Sequence, residues 1–116
     1  ALLGVLGLGL ALGREHQRNG GLLVLPGTNS KQFRPDQLDA AQFLRIESAD
    51  NHALLATQVA VELDPGDVLF FHCRLFHAAG HNQSAETKYS AVFTYHAADN
   101  KPLPGSRSAS LPDVRI

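Results

Sequence analysis

Apolar residues along this chain occur in short runs separated by Gly, Pro, Asn and Asp, a pattern that indicates β-strands joined by turns. The opening run, from Ala1 to Leu12, is predicted to be a buried strand. Asn19-Gly20 separates it from a second apolar run at 22–25, which is typical of two strands joined by a tight hairpin. The Pro-Gly pair at 26–27 is expected to end the second strand.

The middle of the chain changes its pattern twice. From Arg34 to about Glu47, apolar residues recur at roughly helical spacing behind a proline, which predicts one short surface helix. Strand character returns from Ala53 to Leu63, where the side chains alternate. The segment 64–67, Asp-Pro-Gly-Asp, predicts a type II turn, since proline sets a negative φ and glycine accepts a positive one.

Two more strands are predicted in the second half. A dense apolar run follows from Val68 to Phe71, and the segment from 88 to 95 alternates so that Lys88, Ser90 and Val92 share one face. The tail from Lys101 onward is expected to be an extended loop. Short strands, Gly and Pro turns and one short helix together predict a mainly β antiparallel sandwich or jelly roll. Half of such a fold would have open sheet edges and an exposed apolar face.

Composition narrows the classes of partner. The 116 residues carry a formal net charge of −1, and their ten basic residues are scattered, which argues against nucleic acid or an anionic membrane as partner. The apolar start is too short and too rich in glycine for a membrane span. The chain has one cysteine, Cys73, so an intrachain disulfide is impossible and a cytoplasmic location is expected.

The first candidate for chemistry is His77. It follows the strand predicted at 68–71 and precedes the small residues Ala78, Ala79 and Gly80, which would leave space for a ligand beside an imidazole bound to metal. The alternative is a structural histidine that bonds a backbone carbonyl. His72 is a candidate to line the same pocket, with simple packing as its alternative.

The second candidate is the pair Lys88 and Ser90. Residues two apart on a strand point the same way, so an ammonium and a hydroxyl would converge on one spot and could bind a small carboxylate. The alternatives are a solvated strand face and an exposed ion pair between Lys88 and Glu86.

Two longer segments resemble signatures of one family. The segment 19–28, NGGLLVLPGT, resembles the "NG-x-L-x-x-x-PG-S" segment of phytanoyl-CoA dioxygenase-like proteins. The segment from Gly66 to His77, continued by Gly80, Asn82 and Ser84, resembles the second signature of that family, "GD…FF…H…G…N…S". Order and spacing agree for both, over about residues 1 to 95.

The resemblance implies a double-stranded β-helix that binds Fe(II) through two histidines and a carboxylate, leaving positions for 2-oxoglutarate and O₂. By position, His77 matches the distal histidine ligand, and Asn82 is implied to line the pocket. Lys88 and Ser90 match the place where the family usually has an arginine that binds the far carboxylate of 2-oxoglutarate. Lysine keeps the charge but lacks the bidentate fork of arginine, so co-substrate affinity and identity are open.

The resemblance also exposes a gap. The other two iron ligands are expected as His-x-Asp or His-x-Glu, yet none of the six histidines is followed at the second position by Asp or Glu. In the family that motif precedes the strand that matches 1–12. We therefore expect residues 1–116 to be one partial dioxygenase domain, the C-terminal portion, whose N-terminal part with the His-x-Asp motif is missing.

The parent enzyme implied by the resemblance decarboxylates 2-oxoglutarate to succinate and CO₂ and hydroxylates a small organic or acyl substrate. A first alternative is a non-catalytic jelly-roll binding or structural module that has lost the metal site. A second is a cupin-like metal enzyme, but the several closely spaced histidines typical of cupins are absent from this sequence.

Overall fold

The computed structural model describes residues 5–116, and in them it shows two three-stranded antiparallel sheets and one α-helix. The first sheet has the order β4-β1-β6, in which β1 is Val5–Ala11, β4 is Val68–His72 and β6 is Ser90–His96. The second has the order β3-β2-β5, in which β2 is Leu22–Val24, β3 is Val59–Ala60 and β5 is His77–Ala79. The α-helix, α1, is Ala49–Leu55, and short 3₁₀ turns lie at Thr28–Ser30, Pro35–Gln37 and Arg107–Ser110.

The first sheet is organised around the alternation of small and large residues in β1. Gly7 and Gly9 lie on one side of this strand, and the leucines between and beside them lie on the other. Gly7 pairs with Phe71 of β4, and Gly9 pairs with Val92 of β6. The two glycines therefore leave room on the side of the sheet where Phe71 lies.

The predicted mainly β fold with one short helix is confirmed. The opening strand is β1, and the part of the prediction that covers residues 1–4 lies outside the described residues. The two later strands are β4 and β6. The turn at 64–67 also forms as predicted: Asp67 N donates to the carbonyl of Asp64 at 3.0 Å, and Gly66 has a φ of 91°.

The predicted hairpin between the first two strands is wrong, because β1 and β2 belong to different sheets. The Asn19 side chain folds the connection back on itself, accepting from His16 N at 2.8 Å and donating to the carbonyl of Arg14 at 2.7 Å. Asn19 then pairs with Asn82 instead of closing a two-residue turn. β1 therefore pairs with β4 and β6, and β2 pairs with β3 and β5.

The predicted helix position is also wrong. Only the 3₁₀ turn Pro35–Gln37 forms within 34–47, and α1 occupies part of the segment 53–63 that was predicted to be strand, of which only β3 is extended. The cause is Asn51, which is fully buried. Its amide donates to the carbonyls of Gln37 and Arg45, both at 2.8 Å, so loop carbonyls that a helix would satisfy bond to this side chain instead.

The apolar surface is only partly covered. Among the described residues, the buried apolar side chains are Ala11 and Leu25. On the face of the first sheet that points away from Phe71, Phe70 is 58% exposed and Phe93 is 49% exposed. An exposed apolar face of this kind is expected for part of a jelly roll. No helix within residues 5–116 is long and apolar enough to span a membrane.

Candidate metal and co-substrate site

A cavity of about 180 Å³ lies where side chains of both sheets meet. Its lining follows the two-residue period of strands, because alternate side chains of β4, β5 and β6 face it. The residues that line it are Gly9, Glu15, Gly20, Leu22, Leu63, Leu69, Phe71, His77, Ala79, Lys88, Ser90 and Val92. Three of the residues singled out from the sequence, His77, Lys88 and Ser90, therefore lie at one cavity.

His77 is the first residue of β5, at the point where the chain has crossed from the first sheet to the second. Its Nδ1 lies 2.8 Å from the carbonyl of Leu75, which can only accept a hydrogen bond. Nδ1 therefore carries the proton, and in the neutral imidazole Nε2 keeps its lone pair. Metal-binding histidines are commonly oriented in this way by a carbonyl or a carboxylate.

Thr28 holds the chain immediately before His77. Its buried hydroxyl donates to the carbonyl of Leu25 at 2.7 Å and accepts from Phe76 N at 2.9 Å. Leu25 N also donates to the carbonyl of Phe76 at 2.9 Å. The turn at 26–28 thus fixes the backbone on which the imidazole is carried.

Lys88 lies just before β6, and Ser90 is the first residue of that strand. The Lys88 ammonium donates to Ser90 Oγ at 3.3 Å, so the two side chains converge as the alternation predicted. Both face the cavity together with Val92. This arrangement offers one positive charge and one hydroxyl to a ligand.

Glu15 was not singled out from the sequence. Its carboxylate accepts from Lys88 Nζ at 3.3 Å, and the two side chains are only 6% and 18% exposed. The Glu15 backbone is held by a pair of hydrogen bonds with Leu63, of 2.8 and 3.0 Å. In the sequence Glu15 is one acidic residue in a polar loop. Such a pattern does not distinguish a residue that lines a cavity from one that is exposed to solvent.

His72 and Asn82 are not among the residues that line the cavity. His72 follows Phe71 on β4 and so points to the opposite face, where its Nδ1 accepts from Arg74 N at 3.0 Å. Asn82 closes its own loop, with Nδ2 donating to the carbonyl of Glu86 at 2.8 Å.

The two sequence signatures contact each other near the cavity. Gly80 N donates to the carbonyl of Gly21 at 2.9 Å, and Gln83 N donates to the carbonyl of Arg18 at 2.7 Å. A Cβ at Gly20 would lie 3.1 Å from the carbonyl oxygen of Gly80, and a Cβ at Gly80 would lie 3.2 Å from that of Gly21, so the glycines allow this close approach. The spacing seen in the sequence therefore reflects backbone segments that must pass close to one another.

Among the described residues, His77 is the candidate iron ligand at the cavity, and a full ligand set is not present. Within residues 5–116, no three His, Cys, Asp or Glu side chains are close enough to hold a metal ion together. His77 bonds a backbone carbonyl through Nδ1, as metal-binding histidines commonly do, but a stable Fe(II) site needs further donors.

The two three-stranded antiparallel sheets form part of a cupin-like jelly roll. The profile of the family described as phytanoyl-CoA dioxygenase (PhyH) matches residues 4–90, and the chain belongs to this family. Among curated proteins no significant match was found.

Several solved structures share the fold. EctD from S. alaskensis, solved with 2-oxoglutarate and 5-hydroxyectoine, matches with a TM-score of 0.68 and 24% identity over 83% of this chain and 32% of that chain. AviO1 from Streptomyces viridochromogenes Tue57 matches with a TM-score of 0.63 and 26% identity, over 87% and 40% of the two chains.

SnoK, described as a non-heme alpha ketoglutarate dependent carbocyclase from nogalamycin biosynthesis, matches with a TM-score of 0.61 and 25% identity. The match covers 81% of this chain and 38% of SnoK. The chain thus spans between about a third and two fifths of the length of these relatives.

Proposed function

We propose that this chain is part of an Fe(II)- and 2-oxoglutarate-dependent dioxygenase acting on a small organic or acyl substrate. His77 binds the iron through Nε2, and Lys88 with Ser90 binds the far carboxylate of 2-oxoglutarate. Bound Fe(II) supplies the redox centre at which 2-oxoglutarate and O₂ react. A cytoplasmic location is part of the same proposal.

The observation that carries the proposal is the meeting of His77, Lys88 and Ser90 at one cavity. An oriented imidazole lies on one sheet, and an ammonium beside a hydroxyl lies at the edge of the other. A 2-oxoacid with a second carboxylate presents the complementary groups, a chelating end for a metal and a charged end for Lys88. The family membership supports the same pairing of groups.

The remaining iron ligands are proposed to lie outside these 116 residues, as a His-x-Asp or His-x-Glu pair. None of the six histidines in the sequence has that neighbour. The neighbour EctD has been solved with bound Fe, and the present chain covers 33% of it.

The test uses the protein encoded by the natural reading frame that contains these residues. Anaerobic addition of Fe(II) and 2-oxoglutarate is expected to produce a visible charge-transfer band. His77→Ala is expected to weaken Fe(II) binding by at least about tenfold and abolish the band. Lys88→Ala is expected to weaken 2-oxoglutarate binding and leave Fe(II) affinity unchanged.

His81→Ala serves as the matched control, since His81 is an exposed loop histidine four residues further along the chain. A band that persists in His77→Ala would exclude this residue as the ligand. If the whole protein bound neither iron nor 2-oxoglutarate, the alternative of a non-catalytic jelly-roll module would replace the dioxygenase.

A further inference from the structure

Glu15 places a negative charge at the spot proposed for the far carboxylate of 2-oxoglutarate. Its Oε2 is 3.3 Å from Lys88 Nζ, and Ser90 Oγ is also 3.3 Å from the same nitrogen. An ammonium has three protons, so Glu15 and Ser90 engage two of them and one is left for a ligand. The cation on which co-substrate recognition would depend is already paired.

The ion pair between Glu15 and Lys88 is fixed in place by its surroundings. The Glu15 side chain is 6% exposed, and its backbone is tied to Leu63 by two hydrogen bonds. A buried carboxylate is stable only with a compensating partner, and Lys88 is that partner. Removing Glu15 from Lys88 to admit another anion would leave the Glu15 charge buried and unpaired.

The charge balance of the cavity follows from its ionisable lining residues, which are Glu15, His77 and Lys88. With a neutral imidazole, the charges of Glu15 and Lys88 cancel. A carboxylate of a ligand that contacts Lys88 and Ser90 would lie within a few ångströms of the largely buried Glu15 carboxylate, and like charges at that distance repel each other.

We propose that Glu15 is a specificity-determining residue, an internal counter-ion of Lys88 that disfavours a charged far end in the co-substrate and favours an uncharged polar one. The inference rests on the proposed function, because it concerns the same cavity and the same Lys88. It assigns to Glu15 a role that neither the sequence signatures nor the family membership assigns. An amide, which donates to Glu15 and accepts from Lys88, is the chemical group that best fits the pair.

The experiment compares the equilibrium binding of two ligands by calorimetry. The ligands are 2-oxoglutarate and 2-oxoglutaramate, in which the far carboxylate is an amide. The protein is the natural reading-frame product, loaded anaerobically with Zn(II) so that binding is measured without turnover. The variants are Glu15→Gln, Lys88→Ala, both together, and Glu62→Gln, an exposed glutamate next to Leu63 that provides the same change of charge outside the cavity.

Glu15→Gln is expected to tighten 2-oxoglutarate binding by about tenfold or more, and to leave the amide ligand unchanged or weaker. Glu62→Gln is expected to change the affinity for neither ligand. In the double variant the gain in 2-oxoglutarate affinity should disappear, since it depends on Lys88. Glu15→Asp, which withdraws the carboxylate by one methylene, should also tighten 2-oxoglutarate binding, but by a smaller factor. This variant tests the proposal if Glu15→Gln fails to fold.

Two results would overturn the inference and are distinguishable. If 2-oxoglutarate binds in a Lys88-dependent way but Glu15→Gln leaves its affinity unchanged, the role of Glu15 is refuted while the proposed function stands. If no variant shows Lys88-dependent binding of 2-oxoglutarate, both the proposed co-substrate site and the role of Glu15 are refuted.

Discussion

The phenyl ring of Phe71 contacts the imidazole of His77, with the ring centroids 4.8 Å apart and the planes inclined by 60°. Phe71 belongs to the first sheet and His77 to the second, so the contact joins the two sheets beside the candidate iron ligand. The tip of the Phe71 ring lies against Gly7, where a Cβ would be 2.6 Å from Cζ of the ring.

Gly7→Ala is expected to displace Phe71 and, through it, His77. The cost in unfolding free energy should be about 1–3 kcal/mol, because a methyl group has to be inserted into a closed contact. Urea denaturation measures the loss, and the NMR signals of the His77 ring should shift. Gly9→Ala is the control, since a Cβ at Gly9 meets no atom within 4 Å. Equal losses in the two variants would refute the contact.

Thr28→Val is expected to destabilise the turn before His77. It leaves Phe76 N without its acceptor and the Leu25 carbonyl without the hydroxyl donor, at a site that is 1% exposed. The expected loss is about 1–3 kcal/mol in the free energy of unfolding, with faster hydrogen exchange at the Phe76 amide. Thr28→Ser keeps the hydroxyl and should retain the slow exchange. Loss of protection in the serine variant as well would contradict this role of the hydroxyl.

The two histidines that flank the turn between β4 and β5 should differ in tautomer. His77 donates from Nδ1 to the Leu75 carbonyl, whereas His72 accepts at Nδ1 from Arg74 N. The neutral form of His77 is thus expected to carry its proton on Nδ1, and that of His72 on Nε2. Long-range ¹H–¹⁵N spectra distinguish the two forms. An Nε2–H tautomer at His77 would remove the structural basis for metal binding through Nε2.

The C-terminal tail is expected to respond to pH through His96 and Asp113. His96 Nε2 lies 3.0 Å from Asp113 Oδ1, and its Nδ1 lies 2.8 Å from the Ala97 carbonyl. Both partners are acceptors, so the doubly protonated ring is favoured. The hydrogen bond that His96 donates to Asp113, followed by the one that it donates to the Ala97 carbonyl, raises the pKa of His96 above 6.5. The hydrogen bond from His96 lowers the pKa of Asp113 below 3.8.

The sign of the effect follows from the two shifts. A raised histidine pKa means stabilisation that is complete below 6.5 and lost as the pH rises through the raised value. A lowered aspartate pKa means stabilisation that is present above 3.8 and lost as the pH falls through the lowered value. The tail should therefore be held best between these two pH values.

NMR titration of the His96 ring, with limited proteolysis of the tail, measures this dependence. Asp113→Asn should lower the pKa of His96 toward its ordinary value and remove the difference in protease accessibility of the tail between this range and higher pH. Asp99→Asn removes the same charge from the turn after β6 and should change the His96 pKa less. A histidine pKa insensitive to Asp113→Asn would refute the contact.

Local chemistry was sufficient where a short segment contains its own signal. The period of two placed Lys88 and Ser90 on one face, and the cavity includes both. The Pro-Gly turn at 64–67 formed because proline and glycine restrict φ without help from distant residues. His77 was recognised from its place after an apolar strand and before small residues, and its role as an iron ligand stays a prediction.

The tertiary structure decided what depends on partners far along the chain. Asn19-Gly20 has the composition of a hairpin turn, but Asn19 pairs with Asn82 and β1 pairs with β4 and β6, so no hairpin forms. Asn51 moved the helix because it binds carbonyls six and fourteen residues away. Glu15 meets Lys88 across seventy-three positions, a distance over which no local pattern of hydrophobicity carries information. The sequence by itself determined the strands, turns and faces whose signal is local, such as β4, β6 and the turn at 64–67; the pairing of buried polar groups, which as a rule need partners, determined how the elements are joined.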